Sequence, residues 1–174
     1  MRDRVVIKWG GGLITDKSSL CTPNIPVLKQ LASTVEKCHD AGLEVILVHG
    51  AGSFGHLRAK NWRLNEGYIP HIESPEGSIF SSQKEAVDQV RLEMLQLNKH
   101  VCDALEVFGI QSIVHPPHQW ATNTGIDFSG NLDEFMTQNN KTVHITFGDV
   151  VNVEGEKQFG ILSGDDLVVR LSLE

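Results

Sequence analysis

The chain has 174 residues, with 15 Lys and Arg against 22 Asp and Glu, and a formal charge of −7. With no basic block to neutralise phosphates, that balance argues against a nucleic-acid partner, although a small phosphorylated ligand responds only to the local field. A hydrophobic share of 40% suits one globular domain or one large lobe, and no apolar run is long enough to span a bilayer.

The first predicted element is a strand, Arg4–Trp9, rich in β-branched residues and running straight into Gly10-Gly11-Gly12. Leu13 to Ser19 reads as a polar turn holding Thr15, Asp16 and Lys17. Asn24 is a good N-cap, and Pro26 falls in the first turn of the helix it would open. Leu28, Leu31, Val35 and Cys38 recur at helical spacing, so residues 25–41 read as an amphipathic helix closed by Gly42. Val45 to Val48 is apolar throughout, as a fully buried strand is. Strand, helix, strand makes a βαβ unit with parallel strands.

That second strand opens into a loop carrying Gly50, Gly52 and Gly55 and ending on His56. Its glycines allow positive φ and close approach of a ligand, and successive amides can converge on an anion. Taken alone, the loop fits a tight strand-to-helix turn that binds nothing equally well.

From Leu57 to Ser78 periodicity fails: Gly67, Pro70, Pro75 and Gly77 break it, and Arg58, Lys60 and Arg63 give a positive bias. The expectation is a helix start after His56 and then a long mobile loop able to cover a site. Ser82 to Phe108 regains a strong helical period, and Ile110–Val114 is a third strand stopped by His115-Pro116-Pro117-His118. With no third metal ligand nearby, those histidines read as loop residues. Asn131 caps a short helix through Gln138, and Thr142–Phe147 is a fourth strand ending in Gly148-Asp149. Val150–Val153 and Gln158–Leu162 form a hairpin around Glu154–Lys157, and Ser163-Gly164-Asp165-Asp166 caps a last amphipathic segment, Leu167–Leu173. Cys21, Cys38 and Cys102 are odd in number and scattered, so neither a disulfide framework nor a zinc site is expected. Together with an N-terminal apolar run too short for a signal peptide, they point to the cytoplasm.

The order of elements predicts an α/β fold: an open, mainly parallel sheet with helices on both faces, in three layers. Ligands of such sheets bind along the edge where the strands end. Gathered there are Lys8, the amides of Gly10, Gly11 and Gly12, Lys17, the Gly50–Gly55 amides, His56 and Asp149, with Asp165 at the start of the last helix. Lysines, amides, a histidine and carboxylates, with no activated hydroxyl or thiol, suit phosphoryl transfer better than covalent hydrolysis. Ser53 is not in a Gly-x-Ser-x-Gly setting, and no Walker A loop occurs. Each residue also has a plainer reading: Lys8 a surface lysine, Lys17 a solvated charge, His56 a cap, Asp165 an N-cap.

Ile7 to Gly12, Ile14 to Lys17, His49 to His56, Gly148-Asp149-Val150 and Ser163 to Asp166 occur in an order that resembles the amino acid kinase superfamily. The similarity is greatest to its isopentenyl phosphate kinase branch and to the fosfomycin resistance kinases, and it runs from Val5 to about Leu171. It implies a kinase using ATP and Mg2+ on a small phosphorylated acceptor, with no membrane partner and with homodimers among its assemblies. It further implies that Lys8 contacts the transferred phosphoryl group and Lys17 the phosphates, with Gly10, Gly11 and Gly12 on the donor side. Gly50, Ala51, Gly52, Ser53, Gly55 and His56 would hold the acceptor phosphate, Gly148 and Asp149 would support it, and Asp165 would orient the lysines. An isoprenoid tail would lie against the long helix around Val87 to Met94. Trp9 and Gly12 depart from the pattern, where relatives commonly carry a Leu-type residue and a Ser. Relatives also continue into a nucleotide-binding half, so the resemblance implies an acceptor-binding lobe without most of that half.

Overall fold

Six consecutive residues, Arg4–Trp9, form β1, and their alternation decides much of the architecture. A computed structural model describes residues 3–137 and 141–174. After β1 come a single helical turn α1 (Gly11–Ile14), α2 (Ile25–Asp40), β2 (Glu44–His49), α3 (His56–Asn61), α4 (Gln83–Glu106) and β3 (Gln111–Val114). A one-turn α5 (Pro117–Trp120), the two-residue strands β4 (Ala121–Thr122) and β5 (Ser129–Gly130), β6 (Thr142–Phe147), β7 (Asp149–Asn152), β8 (Phe159–Leu162) and α6 (Gly164–Leu173) complete it. The predicted α/β class, parallel sheet and flanking helices are all present.

The main sheet has the order β1-β2-β6-β3 and is parallel throughout. In register, Val5, Ile7, Val45 and Leu47 point to one face, where they meet Leu28, Ala32 and Val35 of α2 and the apolar stripe of α4. Val6, Ile46 and Val48 point to the other, where Leu167 and Leu171 of α6 cover them. Burying both faces is why β2 carries no alternating polar residues. The small sheet, β5-β4-β7-β8, sits beside the end of β6 and includes the antiparallel hairpin β7–β8 that the sequence predicts.

Some local expectations change. The polar turn after the triple glycine is a helical turn, α1, with Ile14 and Thr15 buried, because Leu13 and Ile14 both donate to the Gly10 carbonyl. The helix of residues 82–108 starts one residue later, since Ser82 is its cap and accepts from the Glu85 amide. Asn131 is not the cap of a helix: its side chain accepts the Asp133 amide two residues on, ahead of a 3-10 turn, Asp133–Met136, whose N-cap is Leu132; Gln138 lies outside the described residues. Within residues 67–82, Pro75 to Ser78 line a cavity together with Ser53 and Gly55 of the second glycine loop. Buried Gln83 donates to the carbonyls of Trp62 and Gly67 and accepts from Ile69, and Tyr68 donates to Lys157 on the hairpin.

A cleft at the carboxyl edge of the sheet

The register places two rows of residues at the end of the sheet. Lys8, Val48 and Thr146 stand side by side on the α6 face, and Trp9, His49 and Phe147 stand one residue further on, on the α4 face. Lys8 therefore reaches the first turn of α6, where its Nζ donates to Asp165 Oδ1 at 2.5 Å. The neighbouring Asp166 turns back to the capping Ser163, accepting its hydroxyl at 2.7 Å. Of the two carboxylates, Asp165 is the one that faces the lysine.

The two glycine loops touch backbone to backbone. A Cβ added to Gly11 would lie 2.1 Å from the Gly52 nitrogen, so only glycine fits. Thr15 pins the contact: its hydroxyl donates to the Gly11 carbonyl at 2.7 Å and accepts the Ser53 amide at 2.9 Å. Trp9, buried in the core, gives its carbonyl to the Gly50 amide at 3.0 Å. On Gly12 a Cβ would sit 2.3 Å from Lys17 Cε, so the lysine stem lies across that glycine. A serine there would only displace the flexible end of Lys17, so this contact does not require the glycine.

Between these loops, α4, α6 and the β7–β8 hairpin lies a cleft of about 380 Å³. Its lining combines Lys8, Asp165, His56 and the Gly50–Ala51 backbone with the apolar side chains of Val90 and Met94 on α4 and of Val150 and Ile161 on the hairpin. Among the described residues the amides of Ala51 and Gly55 have no hydrogen-bond partner, and both residues lie on the cleft wall. The amides of Gly164 and Asp165 open α6 and have no acceptor within it, so the positive end of that helix also faces the cleft. An anion entering here meets an ammonium group, a histidine and several unpaired amides.

Of the residues singled out from the sequence, Lys8, Gly11, Gly50, Ala51, Gly55, His56, Gly148, Asp149 and Asp165 come together on this cleft. Gly10, Gly12, Gly52 and Lys17 stand just outside its walls. Ser53 is turned away, and its hydroxyl donates to the Thr22 carbonyl and accepts the Thr22 amide. Asp149 has buried oxygens that are taken up by protein donors, the Val150 amide and both the amide and ring of His118. No residue from 67–82 lines the cleft; Pro75 to Ser78 instead line a second cavity of about 220 Å³ beside the part-buried Arg58–Glu93 pair. His115 and His118 are not simple loop residues, because His115 bonds to His144 at 2.9 Å and His118 to Asp149 at 2.6 Å.

Sequence reasoning passes over Thr15 and His49. Nothing separates Thr15 from an ordinary polar turn residue. His49 sits wholly buried under Phe147 and Asn98, and its Nδ1 donates to the Gly50 carbonyl at 3.0 Å. Burial pushes its pKa down to about 4, against the raising effect of the Gly50 and Asn98 contacts. The folded chain thus favours the neutral ring, while the unfolded chain binds the proton from about pH 6.5 downward. The stability this supplies is whole above pH 6.5 and is lost as pH falls toward 4, about 3 kcal/mol in all by linkage. His115 and His144 are pushed in the same direction, both chiefly by burial. Urea denaturation is expected to show stability falling from pH 7 to pH 5, with a visibly shallower fall in His49→Asn. An identical slope in the variant would refute this account.

An open parallel sheet presenting interlocked glycine loops, a lysine and a helix N-terminus to one cleft defines an α/β protein built to hold anions at its carboxyl edge. The sequence matches the profile of the amino acid kinase family over residues 3–174, and the chain belongs to that family. It is 29% identical to isopentenyl phosphate kinase of Thermoplasma acidophilum over 97% of its length and 61% of the relative's. It is 32% identical to the enzyme of that name from Methanothermobacter thermautotrophicus, over 97% of this chain and 62% of the relative. An X-ray structure of isopentenyl phosphate kinase superposes with a TM-score of 0.81 at 26% identity, covering 98% of this chain and 68% of that one. The chain thus spans about three fifths of the length of these curated relatives. Among the described residues no helix is long and apolar enough to cross a membrane.

Proposed function

We propose that this chain carries the acceptor side of an ATP-dependent kinase that phosphorylates isopentenyl phosphate to isopentenyl diphosphate in the cytoplasm. The observation that carries this reading is the cleft itself. Lys8, His56 and free loop amides share its lining with Val90, Met94, Val150 and Ile161, the combination of groups that a phosphate with a short apolar tail requires. The relatives of that name support the choice of acceptor.

The reaction is an in-line displacement. An oxygen of the acceptor phosphate bonds to the γ-phosphorus as the bond from that phosphorus to the bridging oxygen breaks and ADP leaves. A phosphate dianion is already nucleophilic, so no strong general base is needed. His56 and the Ala51 and Gly55 amides hold the dianion. Lys8, aimed by Asp165, stabilises the charge on the transferring group, and the N-terminus of α6 adds to the field. Lys17, lying across Gly12, is placed for the donor phosphates. Magnesium keeps most of its water and binds chiefly through nucleotide phosphates. Among the described residues no cluster of three His, Cys, Asp or Glu side chains forms a metal cage. The exposed Asp165 carboxylate fits a nucleotide-borne ion of this kind.

Calorimetry tests the reading. Isopentenyl phosphate is expected to bind, and His56→Ala to weaken it about tenfold, the value of one charge-assisted bond. Melting temperature should hold, since the His56 ring is exposed and has no partner among the described residues. Binding of fosfomycin in preference to isopentenyl phosphate would transfer the same chemistry to another acceptor. Binding of the acceptor without an ATP analogue would assign the chain to acceptor binding alone.

A further inference from the structure

At the end of β6 the chain leaves the main sheet and, one residue later, enters the small one at Asp149. This corner forms part of the cleft, and it is tied on every side. The Gly148 amide donates to the His49 carbonyl at 3.0 Å, at the root of the acceptor loop. A Cβ on Gly148 would lie 3.3 Å from the Gly164 nitrogen, so the corner also touches the first turn of α6. Past the corner, Val150 pairs with Ile161, and together they make the hairpin's share of the apolar wall.

Asp149 is only 2% exposed. One of its oxygens accepts the Val150 amide at 2.8 Å. The other accepts the His118 amide at 3.2 Å and the ring Nδ1 at 2.6 Å. A buried carboxylate is costly unless donors surround it, and the ring bond is the shortest of the three. His118 comes from α5, directly after β3, so it braces the corner from the neighbouring strand end. Nothing in the proposed reaction uses it.

We propose that His118 is a positioning residue for the cleft: by donating its Nδ1 proton to Asp149 it fixes the corner between the sheets, and so the separation of the phosphate loops from the Val150–Ile161 wall. Its effect on the ligand rests on the reading of the cleft as an acceptor site, whereas its effect on the corner does not.

The test uses the full chain with His118→Asn, His118→Gln and His118→Ala. Asparagine puts an amide nitrogen close to the position of Nδ1, whereas glutamine puts it near Nε2. Hydrogen exchange is read at the Gly148 and Val150 amides, and affinity by calorimetry with isopentenyl phosphate. With Asn, both amides are expected to stay protected and affinity to stay within about twofold. With Gln and Ala, exchange at those two amides should rise by about tenfold or more while the rest of the main sheet is unchanged, and affinity should fall about tenfold. Parent-like exchange in Ala and Gln, or equal loss in all three variants together with a general drop in melting temperature, would overturn the proposal. If the parent chain binds no isopentenyl phosphate, the acceptor reading fails, and exchange at the corner still decides the role of His118.

Discussion

On the proposed reaction, Lys8→Ala is expected to lower kcat for isopentenyl phosphate about 100-fold or more while the acceptor KM moves by less than about threefold. Steady-state kinetics with both substrates would measure it. The split follows from geometry. Lys8 stands at the end of β1 beside the glycine loops, but its amine is directed by Asp165 rather than by the loop that carries His56. It meets the charge that develops during transfer, which a resting acceptor does not carry. The Lys8–Asp165 pair is itself open to water, with side chains 34% and 79% exposed, so it adds little to stability and its value lies in aim. Melting of Lys8→Ala should therefore match the parent. A variant in which KM rises as far as kcat falls would show that Lys8 only binds.

Gly11→Ala has the largest expected effect on folding. The added methyl would overlap the Gly52 backbone at 2.1 Å, and a backbone cannot rotate out of the way as a side chain can. Forcing the loops apart would also break the two Thr15 bonds that join them. A loss of about 3 kcal/mol, roughly 10 °C in melting temperature for a chain of this size, is expected. Gly10→Ala is the matched control, because a Cβ there has nothing within 4 Å and its φ of −61° suits any residue. That variant should stay within about 0.5 kcal/mol of the parent. Equal melting temperatures for the two would mean the loops do not depend on their close approach.

Much of the fold is legible in the chain. Runs rich in apolar and β-branched residues place the four parallel strands and a period of 3.6 residues the two long helices, because each must bury one or both faces. The repeated step from strand into glycine locates the edge where Lys8, Gly50 and His56 meet. Hidden from sequence are the contacts between residues far apart along the chain. Thr15 looks like any turn threonine until the Ser53 amide arrives beside it. His118 looks like a residue after a proline stop until β6 delivers Asp149 next to it. Ser53 shows the converse, since membership of a glycine loop suggests a ligand contact and the fold spends its hydroxyl on Thr22. Residues 57–78 read as a helix start and then a loop able to cover a site, because they are rich in proline and glycine; the helix start is α3, and Gln83 fastens the chain at Gly67 and Ile69.

The Thr15 clasp has a mechanical consequence. Loops dense in glycine are commonly pictured as flaps, yet here Gly11 and Gly52 are held at contact distance, and the Gly11 carbonyl and the Ser53 amide are joined through one buried hydroxyl. The two glycine loops therefore form one joined cradle, with the Ala51 and Gly55 amides unpaired on its cleft side. Any narrowing of the cleft during turnover must come from the walls around that cradle, the hairpin and α4. In this chain glycine supplies proximity, and mobility has to be sought elsewhere.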